Sequence, residues 1–104
     1  MKLLLFLLLP LLSFSQNIYE VKYESQADLN VFVVNYESQC DLKVYEVKYE
    51  SQAKEDGLWY KVKYESQADK KIYFVDYESQ ADLKIYYVKY QSQSGWRKDD
   101  NQIY

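Results

Sequence analysis

The sequence predicts a single all-β domain made of six copies of one strand-plus-corner unit. Three features carry that prediction: a tetrapeptide recurring at nearly constant spacing, two-residue alternation within each copy, and a composition with 13 tyrosines but only two glycines and one proline. At 104 residues the chain has room for one small domain.

Tyr-Glu-Ser-Gln begins at Tyr23, Tyr36, Tyr49, Tyr64 and Tyr77, and the variant Tyr-Gln-Ser-Gln begins at Tyr90. The steps are 13, 13, 15, 13 and 13 residues, the longer one reflecting an insertion in the third corner, around Lys54 to Leu58. A valine precedes every motif tyrosine by two positions: Val21, Val34, Val47, Val62, Val75 and Val88. An aromatic precedes each valine by two more: Tyr19, Phe32, Tyr45, Tyr60, Tyr73 and Tyr86. A small residue follows Ser-Gln: Ala27, Cys40, Ala53, Ala68, Ala81 and Ser94.

Inside a unit the period is two, as Tyr45, Val47 and Tyr49 alternate with Val44, Glu46 and Lys48. Aromatic and β-branched residues at every second position predict a strand, here of about seven to nine residues. The face carrying aromatic, valine and tyrosine is expected to be the buried one. The face that starts with Leu42 and Val44 is expected to be dry only near its beginning. Ser-Gln-Ala-Asp lacks the apolar content to extend a strand, and its serine and aspartate can turn the chain by bonding nearby backbone.

Thirteen is odd, so a fully extended repeat would reverse its faces from copy to copy. Each corner must therefore absorb one residue in a bulge or bend. Gly57 gives the third corner a wider bend, with three units before it and three after. That division predicts two halves of one closed object. The residues allow a six-stranded antiparallel barrel or meander. After Gln93 the repeat stops, and Ser94-Gly95-Trp96-Arg97 reads as a closing turn.

Residues 1–15 read as a signal peptide: Met1-Lys2, an apolar run over 3–12 interrupted only by Pro10, then small residues Ser13 and Ser15 just before a cleavage site. The run is about half the roughly 20 residues a spanning helix needs. Cleavage after Ser15 would release the rest to the periplasm or the medium, with no membrane anchor left. Residues 16–97 then form the six-repeat β domain, and 98–104 a polar tail.

Little in the chain has the form of an active site. There is no histidine, so no Ser-His-Asp triad can form around Ser25, Ser38, Ser51, Ser66, Ser79 or Ser92. Glu24, Glu37, Glu50, Glu65 and Glu78 recur with the motif and read as corner or cross-strand partners of lysine, because a catalytic carboxylate pair is not normally repeated. Asp99-Asp100 read as a solvated terminus. Cys40 stands where other copies have alanine or serine and reads as a packed substitute, and as the one cysteine it can form no internal disulfide. The regular tyrosine rows are expected to pack in the core or across strands. Trp59 and Trp96 lie beside irregular segments and are the better candidates for a contact surface. No catalytic, cofactor-binding or metal-binding residue is assigned. A net charge of -3 and a pI near 4.9 argue against nucleic acid as partner.

Tyr-Glu-Ser-Gln-Ala-Asp at residues 23–28, 64–69 and 77–82, together with Ile-Tyr-Tyr-Val-Lys-Tyr-Gln-Ser-Gln-Ser-Gly-Trp at 85–96, resembles the small bacterial proteins of the 7(1) septoil knot domain family. The resemblance covers residues 18–96. It implies a single chain wound on itself as a threaded double β-helix, tied in a seven-crossing torus knot. This is the preferred fold. The resemblance brings no biochemical activity and no catalytic residues. The chain departs from the family pattern at Lys54, which replaces an acid, at the insertion 55–57, and at Lys70, which replaces a leucine. The functional expectation is an exported, non-enzymatic, monomeric β-repeat protein with a structural or binding role and no cofactor. The alternatives are a carbohydrate-binding module using exposed tyrosine and tryptophan, and a periplasmic enzyme inhibitor using the loop from Glu55 to Trp59.

Overall fold

A computed structural model describes residues 16–97; residues 1–15, read above as a signal peptide, and 98–104, read as a polar tail, lie outside the described residues. Six strands come one from each repeat: β1 (Asn17–Glu20), β2 (Leu29–Val33), β3 (Leu42–Glu46), β4 (Leu58–Lys61), β5 (Lys70–Phe74) and β6 (Leu83–Tyr87). A two-residue β7 (Gly95–Trp96) follows. Among the described residues there are no α-helices.

The strands are neighbours in the order β4-β1-β5-β2-β6-β3, and β3 pairs with β4 to close the ring. All six of these pairings are parallel, so the antiparallel barrel or meander is incorrect. Every pairing joins a strand of the first three repeats to one of the last three. Only β7 runs antiparallel, along β3, with Leu42 opposite Trp96 and Lys43 opposite Gly95.

Short corners can serve a parallel ring because the strands are staggered. Ile72 of β5 stands opposite Glu20 of β1 on one side and Leu29 of β2 on the other. The start of β2 is thus level with the end of β1, and the intervening corner need only move sideways. It does so over the outside of β5. Val21 donates its N–H to the Ile72 carbonyl, and Asp28 donates to the carbonyl of Lys71. The Asp28 carboxylate accepts from the Lys71 N–H at 2.8 Å, so one aspartate brackets both backbone groups of one residue. Asp41 brackets Lys84, Asp69 brackets Asn17 and Asp82 brackets Asn30 in the same way. The valine bond occurs in all six repeats, each valine N–H donating to a carbonyl of a strand from the other half.

The strands are four or five residues long, shorter than the repeat suggests. A 3-10 turn over Glu-Ser-Gln (Gln-Ser-Gln in the last repeat) forms each corner, closed by two bonds such as Gln26 N–H to Tyr23 O and Ala27 N–H to Glu24 O. This turn absorbs the odd residue. Ile18, Val31, Val44, Trp59, Ile72 and Ile85, equivalent positions in the six repeats, all lie fully buried inside the ring. Leu29, Leu42 and Leu83, two residues earlier in their strands, are buried with them.

The buried face is therefore the one that begins with Leu42 and Val44, not the aromatic face. Alternation ends with the strand, so Val47 turns inward after the kink while Tyr45 and Tyr49 stay outside. Trp59, expected at a contact surface, is the largest fully buried side chain, and its indole N–H donates to the Asp56 carbonyl at 3.1 Å. Trp96 packs half-buried against the same core. Its N–H donates to Asp56 Oδ2 at 2.7 Å.

Gly57 does not open a wide bend. A Cβ there would lie 2.5 Å from Lys43 O and 2.6 Å from Gly95 N, so the backbone passes where no side chain fits. Gly95 takes φ +132°, a conformation other residues rarely adopt.

Two stability outcomes follow. Gly57→Ala should lower the unfolding free energy by about 1–3 kcal/mol, the cost of overpacking against backbone. Asp41→Ala should cost about 1–3 kcal/mol by leaving the Lys84 N–H without its acceptor. Urea denaturation of both variants measures this, and wild-type midpoints would show that neither contact matters.

Candidate binding surface

The most exposed large apolar side chains are the motif tyrosines. Tyr23, Tyr36, Tyr49, Tyr64, Tyr77 and Tyr90 are 62–67% exposed. The expectation that they pack in the core fails. Each sits in extended backbone just before its 3-10 turn, with φ between -120° and -131° in all six. One local geometry thus presents six rings around the outside of the barrel.

Between these corners lie clefts of recurring design. One, of about 440 Å³, is lined by Tyr60, Val62, Lys63, Tyr64 and Gln67 from the exit of β4, with Glu50 and Asn17 opposite. Another, of about 200 Å³, has Tyr86, Val88, Lys89 and Gln93 at the exit of β6, with Glu37 opposite and Tyr87 alongside. In each, the exit of a strand is walled by the corner that crosses it. The repeat therefore builds the same groups twice: a phenol ring, a valine, a lysine, an amide and a carboxylate. At the larger cleft Asn17 Nδ2 donates to Glu50 Oε2 at 2.9 Å, while Asn17 Oδ1 is buried without a hydrogen-bond partner.

Of the other motif glutamates, three pair with lysine as expected and Glu24 pairs with an asparagine instead. Glu37, Glu65 and Glu78 meet Lys43, Lys71 and Lys84 at 3.4–3.6 Å, and Glu24 accepts from Asn30 Nδ2 at 2.7 Å. These are surface contacts at the corners. The loop from Glu55 to Trp59 does not protrude: Gly57, Leu58 and Trp59 are all buried, leaving Glu55 exposed and Asp56 partly so. Cys40 is buried too, and burial pushes its thiol above the ordinary range, with nearby Arg97 only partly opposing. Its place is that of a packed small residue, with its carbonyl accepting from Arg97 Nε at 2.8 Å. Among the described residues no group of three or more metal-ligating side chains occurs, and no helix is long and apolar enough to cross a membrane. Asp99 and Asp100 lie outside the described residues.

The family model of the 7(1) septoil knot domain matches residues 15–97, which takes in the whole ring and its closing strand. The chain belongs to the 7(1) septoil knot domain family. No curated protein and no solved structure matches it. The domain name gives no biochemical role, so the surface chemistry follows from this chain's own side chains.

Exposure of the motif tyrosines predicts that Tyr36→Ala or Tyr77→Ala shifts the unfolding free energy by no more than about 0.5 kcal/mol, as surface substitutions do. A loss of several kcal/mol in either would contradict the exposure.

Tyr87 behaves differently. Burial, then Glu46 and Glu20, push its phenol from 10.0 up to about 12. The folded state holds this proton more tightly than the unfolded chain does. Its stabilisation is complete below pH 10 and is lost as pH rises towards 12, by roughly 2 kcal/mol. Tyr87→Phe should remove that part of the alkaline loss. An unchanged stability profile between pH 9 and 12 would argue against it.

Proposed function

We propose that the protein is an exported, non-enzymatic binding protein whose contact groups are the six motif tyrosines and the clefts between them, with polysaccharide as its ligand class. The observation that supports this reading is that all six rings are more than three-fifths exposed. A ring held this way has an apolar face and a polar hydroxyl. Sugars offer the complement, C–H faces bordered by hydroxyls. Lys63, Gln67 and Glu50 stand beside Tyr64 to hydrogen-bond those hydroxyls. An inhibitor role for the segment from Glu55 to Trp59 is disfavoured, since its apolar residues are buried. Export rests on the reading of residues 1–15 and leaves a monomer free in the periplasm or the medium.

The durability such a protein needs would come from threading, in the double-helical, seven-crossing arrangement the family name describes. Strict alternation of strands from the two halves supports it. So does the strapping of each half by corners of the other, as Asp28 straps β5 and Asp69 straps β1. Strands held so cannot peel away singly, and unfolding should be slow.

Pull-down on a panel of insoluble polysaccharides tests the binding reading. The wild type should be retained on at least one. Tyr64→Ala should weaken retention about tenfold, equivalent to about 1.4 kcal/mol, with an unchanged unfolding midpoint. No retention on any polysaccharide, or full retention by a variant lacking all six motif tyrosines, would sink it. Threading is tested by cutting the chain between exposed Lys54 and Glu55. The cut protein should keep its β spectrum yet unfold at least an order of magnitude faster than the intact one. Equal rates would count against threading.

A further inference from the structure

Gln16 is the first described residue, and it is built into the ring. Its N–H donates to the Ala53 carbonyl at 3.0 Å, and its carbonyl accepts from the Tyr60 N–H at 3.0 Å. Only 8% of its surface is exposed, and its Oε1 is buried without a hydrogen-bond partner. Two residues ahead of Ile18, it occupies the position at which β2, β3 and β6 carry the buried leucines Leu29, Leu42 and Leu83. A polar side chain whose oxygen has no partner is out of place there on packing grounds.

Cleavage after Ser15 would make Gln16 the amino terminus, and this inference rests on that export reading. The terminus would then be an ammonium ion, with three donors facing a carbonyl that uses one. A charge in so enclosed a place is costly unless it is paired. We propose that Gln16 is a modification site, and that the exported protein carries it as pyroglutamate. The α-amino nitrogen attacks the side-chain carbon Cδ. The new C–N bond closes a five-membered lactam, the old bond to the side-chain nitrogen breaks, and that nitrogen leaves as ammonia with the transferred proton. No oxidant or reductant is needed. The product is neutral and keeps a single N–H, which is the number of donors the Ala53 carbonyl takes. The lactam keeps the side-chain oxygen and sheds the NH2, so one polar group fewer is enclosed at a position that is buried and apolar in the repeats of Leu29, Leu42 and Leu83.

The test is intact-mass and N-terminal peptide analysis of full-length protein produced with its own residues 1–15 in a host that exports it. The expected mass is that of residues 16–104 less one ammonia, with a terminus that Edman chemistry cannot open until a pyroglutamyl peptidase has acted. A chain starting at Gln16 with full mass would overturn the modification and leave export standing. A chain starting at any other residue would overturn the cleavage reading and the modification together. A second measurement guards against incidental cyclisation during storage. Protein released from a fusion immediately before Gln16 should have a lower urea midpoint when fresh than after treatment with glutaminyl cyclase. Equal midpoints would show that the fold has no use for the lactam and would overturn the structural argument.

Discussion

Everything in this molecule depends on one constraint: no strand of the six-membered ring pairs with a strand of its own half. A half-chain alone would hold three strands with both edges unpaired, each a row of unsatisfied N–H and C=O groups. Folding has to bring the two halves together before any ladder forms. Backbone partners stand far apart in sequence, as in the Asp28–Lys71 and Asp69–Asn17 brackets, 43 and 52 residues apart. Such pairings come late and slowly in folding, because the chain entropy of closing long loops is lost before the contacts form. The corner aspartates answer this cost locally. Each fixes both backbone groups of a single residue on the strand it crosses, and so defines register with one side chain.

The same constraint decides what reaches the surface. A strand of five residues in a narrow ring has only two or three inward positions, and these are taken by leucine and by valine or isoleucine. Once the strand ends, the chain runs outside another strand and reaches the interior only through the kinked valine and, in two repeats, through the small residue after the turn, Cys40 or Ala53. The tyrosines that follow are held outside by the topology. Their exposure costs hydration of an apolar ring six times over. A packing role would have called for a different place in the unit. The clefts arise from the same crossings, so the walls of the candidate site are the straps that hold the barrel.

How much of this could be read from the sequence follows from the range of each interaction. The number of strands, the small residue after Ser-Gln, the need for the corner to absorb one residue and the division into halves at Gly57 are local or periodic properties, and periodicity reveals them. Pairing is not local. A parallel partner 43 residues away leaves no mark in either segment, so parallel and antiparallel closures were equally open to the repeat. The inward face was misread because alternation from Val44 to Tyr49 looks unbroken, whereas the strand ends at Glu46 and the valine after it turns in. Trp59 was misread because an irregular neighbourhood suggested a surface. What marks it as interior is the glycine two residues before it. With no side chain at Gly57 and a large one at Trp59, one strand fills its share of the ring with a small-then-large pair where β2, β3 and β6 use leucine followed by valine or isoleucine.

That pair belongs to a seam, and the seam explains where the repeat is allowed to fail. A closed ring made from an open chain must have one place where the connection differs and one where the chain stops. In this chain the two are in contact. The corner aspartate is missing from the third and sixth corners, replaced by Lys54 and Gly95. The third corner steps from β3 to its immediate neighbour β4, while the others step over a strand. The sixth ends in β7, which lies antiparallel along β3 and supplies the backbone partner at Lys43 that a bracketing aspartate supplies elsewhere. Gly57 passes within van der Waals reach of both Lys43 and Gly95, and Asp56 of the insertion receives the indole N–H of Trp96 through its carboxylate and that of Trp59 through its carbonyl. The insertion and the closing turn are therefore two halves of one device. Shortening 55–57 to restore a perfect repeat would disturb the Asp56 carboxylate that receives the Trp96 indole N–H and the Gly57 backbone that passes Lys43, so the irregularity there is tied to the closure that the regular units make possible.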